Sequence, residues 1–477
     1  MSGVTEGRRR RTAMRVTLGI LLTTAGIGGG VAAALAPPVQ IQREPLSITA
    51  QPEPAATRLA CDGPILAGGR DAVDASVITD AAAQTVVAAT ADPQIDATLA
   101  RLAAADVVGG EGPDSYTALP VGREPAELAA AGSATAEAED LTGFAAAACT
   151  APQMVSWLVG GSGLTGASDF IVIANPGEVA ARVDLVVFAA GGLTVPTAGS
   201  GLLVPAGSQR VIPLASVALG EDSPVIRVDA SEAPVRASLQ TSITRTLVPG
   251  GVDQVSATAA PATEQVIPSF TVSASAASSS DGTTTLRVLA PDDDAEATIA
   301  IAPVGSAGAA APMTVQLAAG EPLELELGDL SAGAYTVRVS ATAPVVTAVW
   351  ETTGFGAGED IAWYTSASTL TDQSLVAVAS GPDPILTLVN DGGDEIRVRY
   401  AAGAGIDAPG EIAVPGEIAV PGGGSVAVPV NGDDVYLISA AGESLRASIT
   451  YAGDGALAGY AVAPSGAAAS SVTVYTQ

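Results

Sequence analysis

Phe170-Ile171-Val172-Ile173-Ala174-Asn175-Pro176-Gly177 decides the fold. An apolar run rich in β-branched residues stops at an Asn-Pro-Gly turn, and residues 181–188 return with apolar and polar positions alternating. A run this short reads as a buried strand, and the alternating return as a half-buried one. The pattern recurs at residues 284–291 and 297–301 around the turn Pro291-Asp292-Asp293-Asp294. It recurs again at residues 384–390 and 395–400 around Asn390-Asp391-Gly392-Gly393.

The second halves of these units also correspond. Residues 202–208 precede a strand at 210–214, residues 315–320 one at 323–327, and residues 420–425 one at 426–430. Closing strand pairs follow at 225–228 with 235–240, 335–339 with 345–351, and 435–439 with 444–451. About six or seven strands in roughly 80 to 100 residues is the size of an antiparallel β-sandwich of immunoglobulin-like type. The fold class expected is therefore mainly β, in tandem sandwiches. Residues 154–268, 269–372 and 373–477 form the three, with the Ser/Ala-rich stretch 273–282 as a loop between the first two. Pro409-Gly410-Glu411-Ile412-Ala413-Val414 is repeated at once as residues 415–420. A perfect duplication is tolerated at a surface loop or strand edge and makes a poor place for a site.

Upstream, residues 58–153 form a further β-rich module. Residues 76–78 and 85–87 read as strand, whereas residues 93–107, with Ile95, Leu99 and Leu102 at helical spacing, fit a short helix equally well. Cys61 and Cys149, an even pair 88 positions apart, are expected to form a disulfide in an oxidising compartment, the other reading being two buried thiols.

The first 57 residues read as topology. Arg8, Arg9, Arg10, Arg11 and Arg15 (leader 1–15) precede the unbroken apolar stretch 16–35. Twenty helical residues at about 1.5 Å each span a bilayer core of roughly 30 Å, and the arginines hold the leader on the cytoplasmic side. A single transmembrane signal-anchor is expected, followed by a Pro-rich extended linker over 36–57. The competing reading is a cleaved signal peptide ending at Ala34-Leu35-Ala36, which would leave the chain secreted. Either way the bulk of the chain is extracytoplasmic.

Composition limits the chemistry. The net charge is −30, and all twenty basic residues are arginine. Such a chain is not expected to bind nucleic acid, which is held by cationic neutralisation of phosphate. With neither histidine nor lysine, no Ser-His-Asp triad, Cys-His pair, Schiff base or imidazole metal site can be built. Gly161-Ser162-Gly163-Leu164-Thr165-Gly166 matches a dinucleotide fingerprint by letter, but strand rather than helix follows it, so it reads as a loop. Asp292 to Asp294 with Glu296 lack calcium-loop spacing and sit in a turn. Trp157, Trp350 and Trp363 could form a sugar-stacking face, but strand patterns around Trp157 and Trp350 favour packing roles. No cofactor, metal or catalytic residue is assigned.

Ala146-Ala147-Ala148-Cys149-Thr150-Ala151-Pro152, Ser156-Trp157-Leu158-Val159-Gly160-Gly161, Ile173-Ala174-Asn175-Pro176-Gly177 and Asp360-Ile361-Ala362-Trp363 carry a resemblance. They look like an uncharacterised family of actinobacterial extracytoplasmic proteins, a domain of unknown function whose members are sometimes titled "large extracellular alpha-helical protein". Cys61-Asp62-Gly63-Pro64 departs from the Cys-Pro-Gly form that resemblance would imply. The resemblance implies location and architecture but no catalytic residue, and its helical label conflicts with the strand pattern, which we follow. The expected function is a non-enzymatic, membrane-anchored scaffold or binding protein of the cell envelope, with a wall polysaccharide or an envelope protein as partner. The other class is a carboxylate-dependent glycan hydrolase or transferase, whose acid pair can lie far apart in sequence.

Overall fold

A computed structural model describes residues 53–71, 73–92, 94–123, 125–278, 284–306, 312–328, 330–370, 373–402, 416–440 and 442–464. It also describes residues 14, 16–21, 23 and 24, and the backbone of 47–50 and 472–475. Two units divide the chain: Glu53–Ala469, and Met1–Pro52 with Ser470–Gln477.

In the smaller unit, residues 14, 16–21, 23 and 24 are helical, and Leu18, Ile20 and Leu21 are all more than half exposed. No helix among the described residues is long and apolar enough to cross a membrane. Arg8, Arg9, Arg10, Arg11, Arg15 and residues 25–35 lie outside the described residues. Within the stretch expected to be linker, Ser47–Ala50 is a strand, paired antiparallel with Val472–Tyr475 near the C-terminus. Those last residues therefore do not extend the third set of sheets.

The larger unit is mainly β, built from many antiparallel sheets. From residue 155 onward one topology occurs three times. In the first, a sheet runs Val155–Val159, Val225–Ser231, Ala181–Ala189, with Gly192–Thr194 and Leu202–Val204 along its outer side; a second sheet runs Ser208–Pro213, Phe170–Asn175, Arg236–Arg245, Val248–Ser256. Then Ala262–Val272, the first part of Gly333–Thr352, Ala295–Pro303 and Met313–Leu317 form one sheet. Leu323–Glu326, Thr284–Leu289, the last part of Gly333–Thr352 and Ile361–Thr365 form its companion. The third pair is Gln373–Val378, Asp434–Ser439, Ile396–Ala402, Gly416–Val420 with Ser425–Pro429, Ile385–Asn390, Leu445–Gly453, Ala456–Ala461.

The strands on either side of each Asn or Asp turn lie in opposite sheets, as do the two closing strands. The repeated element is thus an arch between sheets and not a hairpin. Its clearest form is Gly333–Thr352, one continuous strand where two closing strands were expected. Its ladder passes from Ala295–Pro303 to Thr284–Leu289 around Pro344, whose missing N–H cannot serve a ladder, and the strand changes sheets there. The strand Gly416–Val420 is the second copy of the duplicated hexapeptide, less its first residue, and forms a sheet edge; the first copy is outside the described residues.

The first and third arches have a buried fastening. Asn175 Nδ2 donates to the carbonyls of Val179 and Val204 while its Oδ1 accepts from Gly177 N–H. Asn390 repeats the pattern with Asp394, Val420 and Gly392. In the middle unit the position is Ala290, and Asp294 instead accepts from Ala319 N–H across the arch. Asn175→Ala should cost about 2 kcal/mol, because buried backbone groups lose their partners. Urea denaturation would register it, and an unchanged midpoint would contradict the fastening role.

Ahead of these lie three small sheets: Thr57–Ala60 with Asp114–Ala118 and Thr98–Arg101, Ile65–Gly68 with Ile78–Ala82, and Thr85–Thr90 with Leu128–Ala138 and Leu141–Cys149. Residues 94–107 are not helical: Thr98–Arg101 is an exposed strand that pairs with Asp114–Ala118, and Pro93 lies outside the described residues. A ladder partner decided what the spacing of Ile95, Leu99 and Leu102 left open, and Leu99 points to solvent at 54% exposure. Cys61 and Cys149 are joined by a disulfide, with Cα atoms 4.1 Å apart.

Candidate functional site

Where one set of sheets meets the next, an arginine crosses the junction. Arg236, 1% exposed, holds both oxygens of Asp62 at 2.7 and 2.5 Å and also donates to Ser238 Oγ, tying the first of the repeated sheet pairs to the N-terminal region. Arg287 donates from the second set to the carbonyls of Gly161 and Pro224 in the first, at 2.9 and 2.8 Å. Its guanidinium pairs with Glu324 and lies over the Trp363 ring, 4.7 Å from the centroid. Arg338 reaches from the second set to Asp391 and the Asn390 carbonyl in the third, and Arg446 holds the other oxygen of Asp391. A bidentate guanidinium fixes angle as well as distance.

The residues that meet most intimately come from four edge strands. Leu141–Cys149, Val248–Ser256, Ile361–Thr365 and Ala456–Ala461 each end a sheet, so their outward N–H groups lack a ladder. One carboxylate collects them. Asp360 Oδ1 accepts from Val252 and Ile361 at 3.2 and 3.0 Å, and Oδ2 from Phe144 and Leu457 at 2.9 and 3.1 Å. Gly143 and Gly251, at φ +140° and +120°, leave room for it: a Cβ there would come within 2.4 and 2.8 Å of Asp360 Oδ1. Beside it Asp253 Oδ2 accepts from Trp363 N–H at 2.7 Å. Gln254 and Gln240 bridge to backbone carbonyls of Gly63 and Leu66.

At the far end of these strands lies a cavity of about 950 Å³. Ala148, Ser256, Ser366 and Ala461, four or five places beyond the residues that reach Asp360, all line it. The four strands therefore run side by side in one direction, from the carboxylate to the cavity. Walls are mostly small: Ala55, Ala129, Ala151, Ala257, Ala377 and Pro464 among them. Its size lies at the upper end of the ligand-pocket range.

Four buried acids are displaced from their ordinary range. Burial pushes Asp169 and Asp360 up to about 7, against the backbone N–H groups that pull each of them down. Burial raises Asp253 well above normal, and Glu351, bonded to the Thr284 hydroxyl, is pushed up to about 8. None of the four lines the cavity; the wall acids are Glu178 and Glu232, paired with Arg58 and Arg182. Raised carboxylates are frequent marks of catalysis; these four all lie in the interior of the fold.

These shifts set a pH dependence. Glu351 stays protonated in the folded chain up to about pH 8 but ionises near 4.5 when unfolded. Its contribution is full below about pH 4.5 and is lost as the pH climbs to 8; Asp169 and Asp360 act in the same sense up to about 7. The thermal midpoint should fall by several degrees between pH 5 and 9, and Glu351→Gln should flatten the fall above pH 7. A midpoint rising with pH would contradict this.

Other sequence candidates fall outside the junction's chemistry. Residues 161–166 form a loop in which Ser162 N–H bonds Asp169 and no helix follows. Asp292 and Asp293 are exposed turn residues. Trp157 and Trp363 are buried, and Trp350 faces Trp363 across a ladder. Among the described residues no group of three or more acids or cysteines is placed to hold a metal ion. Sequence reasoning passed over Arg236, Asp253 and Arg287, and Asp62 was quoted beside Cys61 without a role. Asp360 stood in a quoted motif without a role.

A family model described as a family of unknown function (DUF5719) matches residues 103–431. No curated protein matches the chain.

Proposed function

The chain belongs to that family of unknown function, and on that premise we propose a non-enzymatic scaffold or binding protein of the cell envelope, anchored in the membrane by its N-terminal apolar stretch. Its tandem immunoglobulin-like sandwiches stand outside the cell, and its partner is a wall polysaccharide or an envelope protein. The observation that carries the reading is the junction. Four edge strands and a set of crossing arginines brace Glu53–Ala469 into one unit around an open cavity, and Asp360, whose pKa is raised, sits inside that bracing. Rigid preorganised modules suit recognition at low entropic cost. The exposed apolar helical residues near Ile20 support an anchor, the Cys61 to Cys149 disulfide supports an oxidising compartment, and the charge of −30 argues against nucleic acid.

Protease added to intact cells should remove a C-terminal tag, and full-length protein should recover wall polysaccharide or an envelope protein from solubilised envelopes. A protected tag, or recovery of neither partner, would sink the proposal. The glycan hydrolase or transferase reading keeps one support, Glu178 and Glu232 on the same cavity wall. Turnover of wall glycan that disappears in Glu178→Gln and Glu232→Gln would establish it instead.

A further inference from the structure

The wall of the cavity contains an unfinished sheet edge. Among the described residues, Thr57–Ala60 has a ladder on one side only, with Asp114–Ala118. Cys61 N–H bonds the Asp114 carbonyl at 3.0 Å, while Ala60 exchanges two bonds with Thr150 on the opposite side, both 3.0 Å. Backbone groups alternate along a strand, so Arg58 N–H and C=O also face that opposite side. The register opposite Arg58 would fall to Pro152, which has no N–H, and the chain turns away there to bond Gln153 with Val235. Arg58, Thr150 and Pro152 all line the cavity. Across it Ala461 belongs to another sheet edge: Val462 N–H bonds the Ala447 carbonyl, so by the same alternation Ala461 turns its own backbone outward.

The charges of the wall are already spent. Arg236 holds Asp62, Arg58 holds Glu178 at 2.5 Å, and Arg182 pairs with Glu232. What remains is open backbone flanked by alanine and proline, which suits a backbone ligand with small, uncharged side chains. We propose that the cavity binds an extended polypeptide segment rich in alanine, valine, threonine and glycine, added as a strand opposite Arg58, the open position beside the antiparallel contact that Thr150 makes with Ala60. Strand addition takes affinity from main-chain bonds and selectivity from the space left to alternate side chains. The inference rests on the binding reading above and narrows its partner to protein.

The test uses full-length protein in lipid nanodiscs and fluorescent dodecapeptides of alternating alanine with valine or threonine, read by polarisation. Saturable binding is expected. N-methylation of every second peptide residue in one phase should weaken it about tenfold or more, and in the other phase about threefold or less, since only one phase faces the edge. Arg58→Pro, which removes the N–H, should weaken binding about tenfold, whereas Arg58→Ala, which keeps it, should bind within about threefold of the parent. The peptide-side result needs no altered protein and so does not depend on whether the proline variant folds. Absence of binding, equal loss in both methylation phases, or an acyl chain from the nanodisc held in the cavity would overturn the inference. If an envelope protein or polysaccharide is still recovered in the pull-down, the binding reading survives that failure.

Discussion

Asp360→Ala is expected to lower the thermal midpoint by about 5 °C, or to prevent folding altogether. Four backbone N–H groups from four different edge strands converge on this one side chain, which is fully buried. An unpaired buried donor costs about 1 to 3 kcal/mol, so the summed loss is about 4 kcal/mol or more even after local relaxation. A unit the size of Glu53–Ala469 shifts by about 1 °C per kcal/mol. Asp360→Asn should recover at most half of the loss, because its amide nitrogen faces two donors that need an acceptor. Asp292→Ala, at an exposed turn acid, should change the midpoint by less than about 1 °C and serves as control. A melt for Asp360→Ala that overlays the parent would mean that the four edges are held by something other than this carboxylate.

The second large effect is expected at the pair Arg236 and Asp62. Side-chain exposure is 1% and 3%, and the two residues lie 174 positions apart in sequence. Removing one member leaves the other as a buried, uncompensated charge, so Arg236→Met should destabilise by about 3 to 5 kcal/mol. The double substitution Arg236→Met with Asp62→Leu removes both charges and should return most of that loss, since a desolvated pair is often no better than an apolar pair of similar volume. Chemical denaturation of the four species closes the cycle. Additive losses in the double variant would show that the charges are not coupled, and the junction would then owe its order to the neighbouring disulfide. If a partner segment fills the cavity, the Arg236→Met variant should also lose peptide binding, because Arg236 and Ala237 form part of that wall.

Much of the architecture was legible because strand signals are local. The runs ending at Asn175 and Asn390 combine β-branched residues with a turn that demands a short polar side chain, and both are strands that end at the expected turns. Residues 335–351 were legible as strand but not as one strand, because nothing local tells a proline that breaks a ladder from one that lets a strand change sheets. The helical spacing at residues 93–107 misled for the opposite reason: the ladder from Asp114–Ala118 that overrode it comes from beyond the window in which the spacing is read. Asp360 carried a sequence signal only as part of a quoted motif. No property of an aspartate beside Ile361 indicates that N–H groups from residues 144, 252 and 457 will meet it.

By itself the sequence determined the period, the turns and the chemistry that cannot occur. A chain without histidine or lysine forgoes imidazole and amine catalysis in any fold, and alternation of apolar residues specifies a sheet face wherever that sheet lies. Only the tertiary structure decided which edges would face one another, which acid would close them, and where the cavity would open. Edge partners are chosen by packing and by satisfaction of buried backbone groups across hundreds of residues, and those energies exist only once the sheets have met.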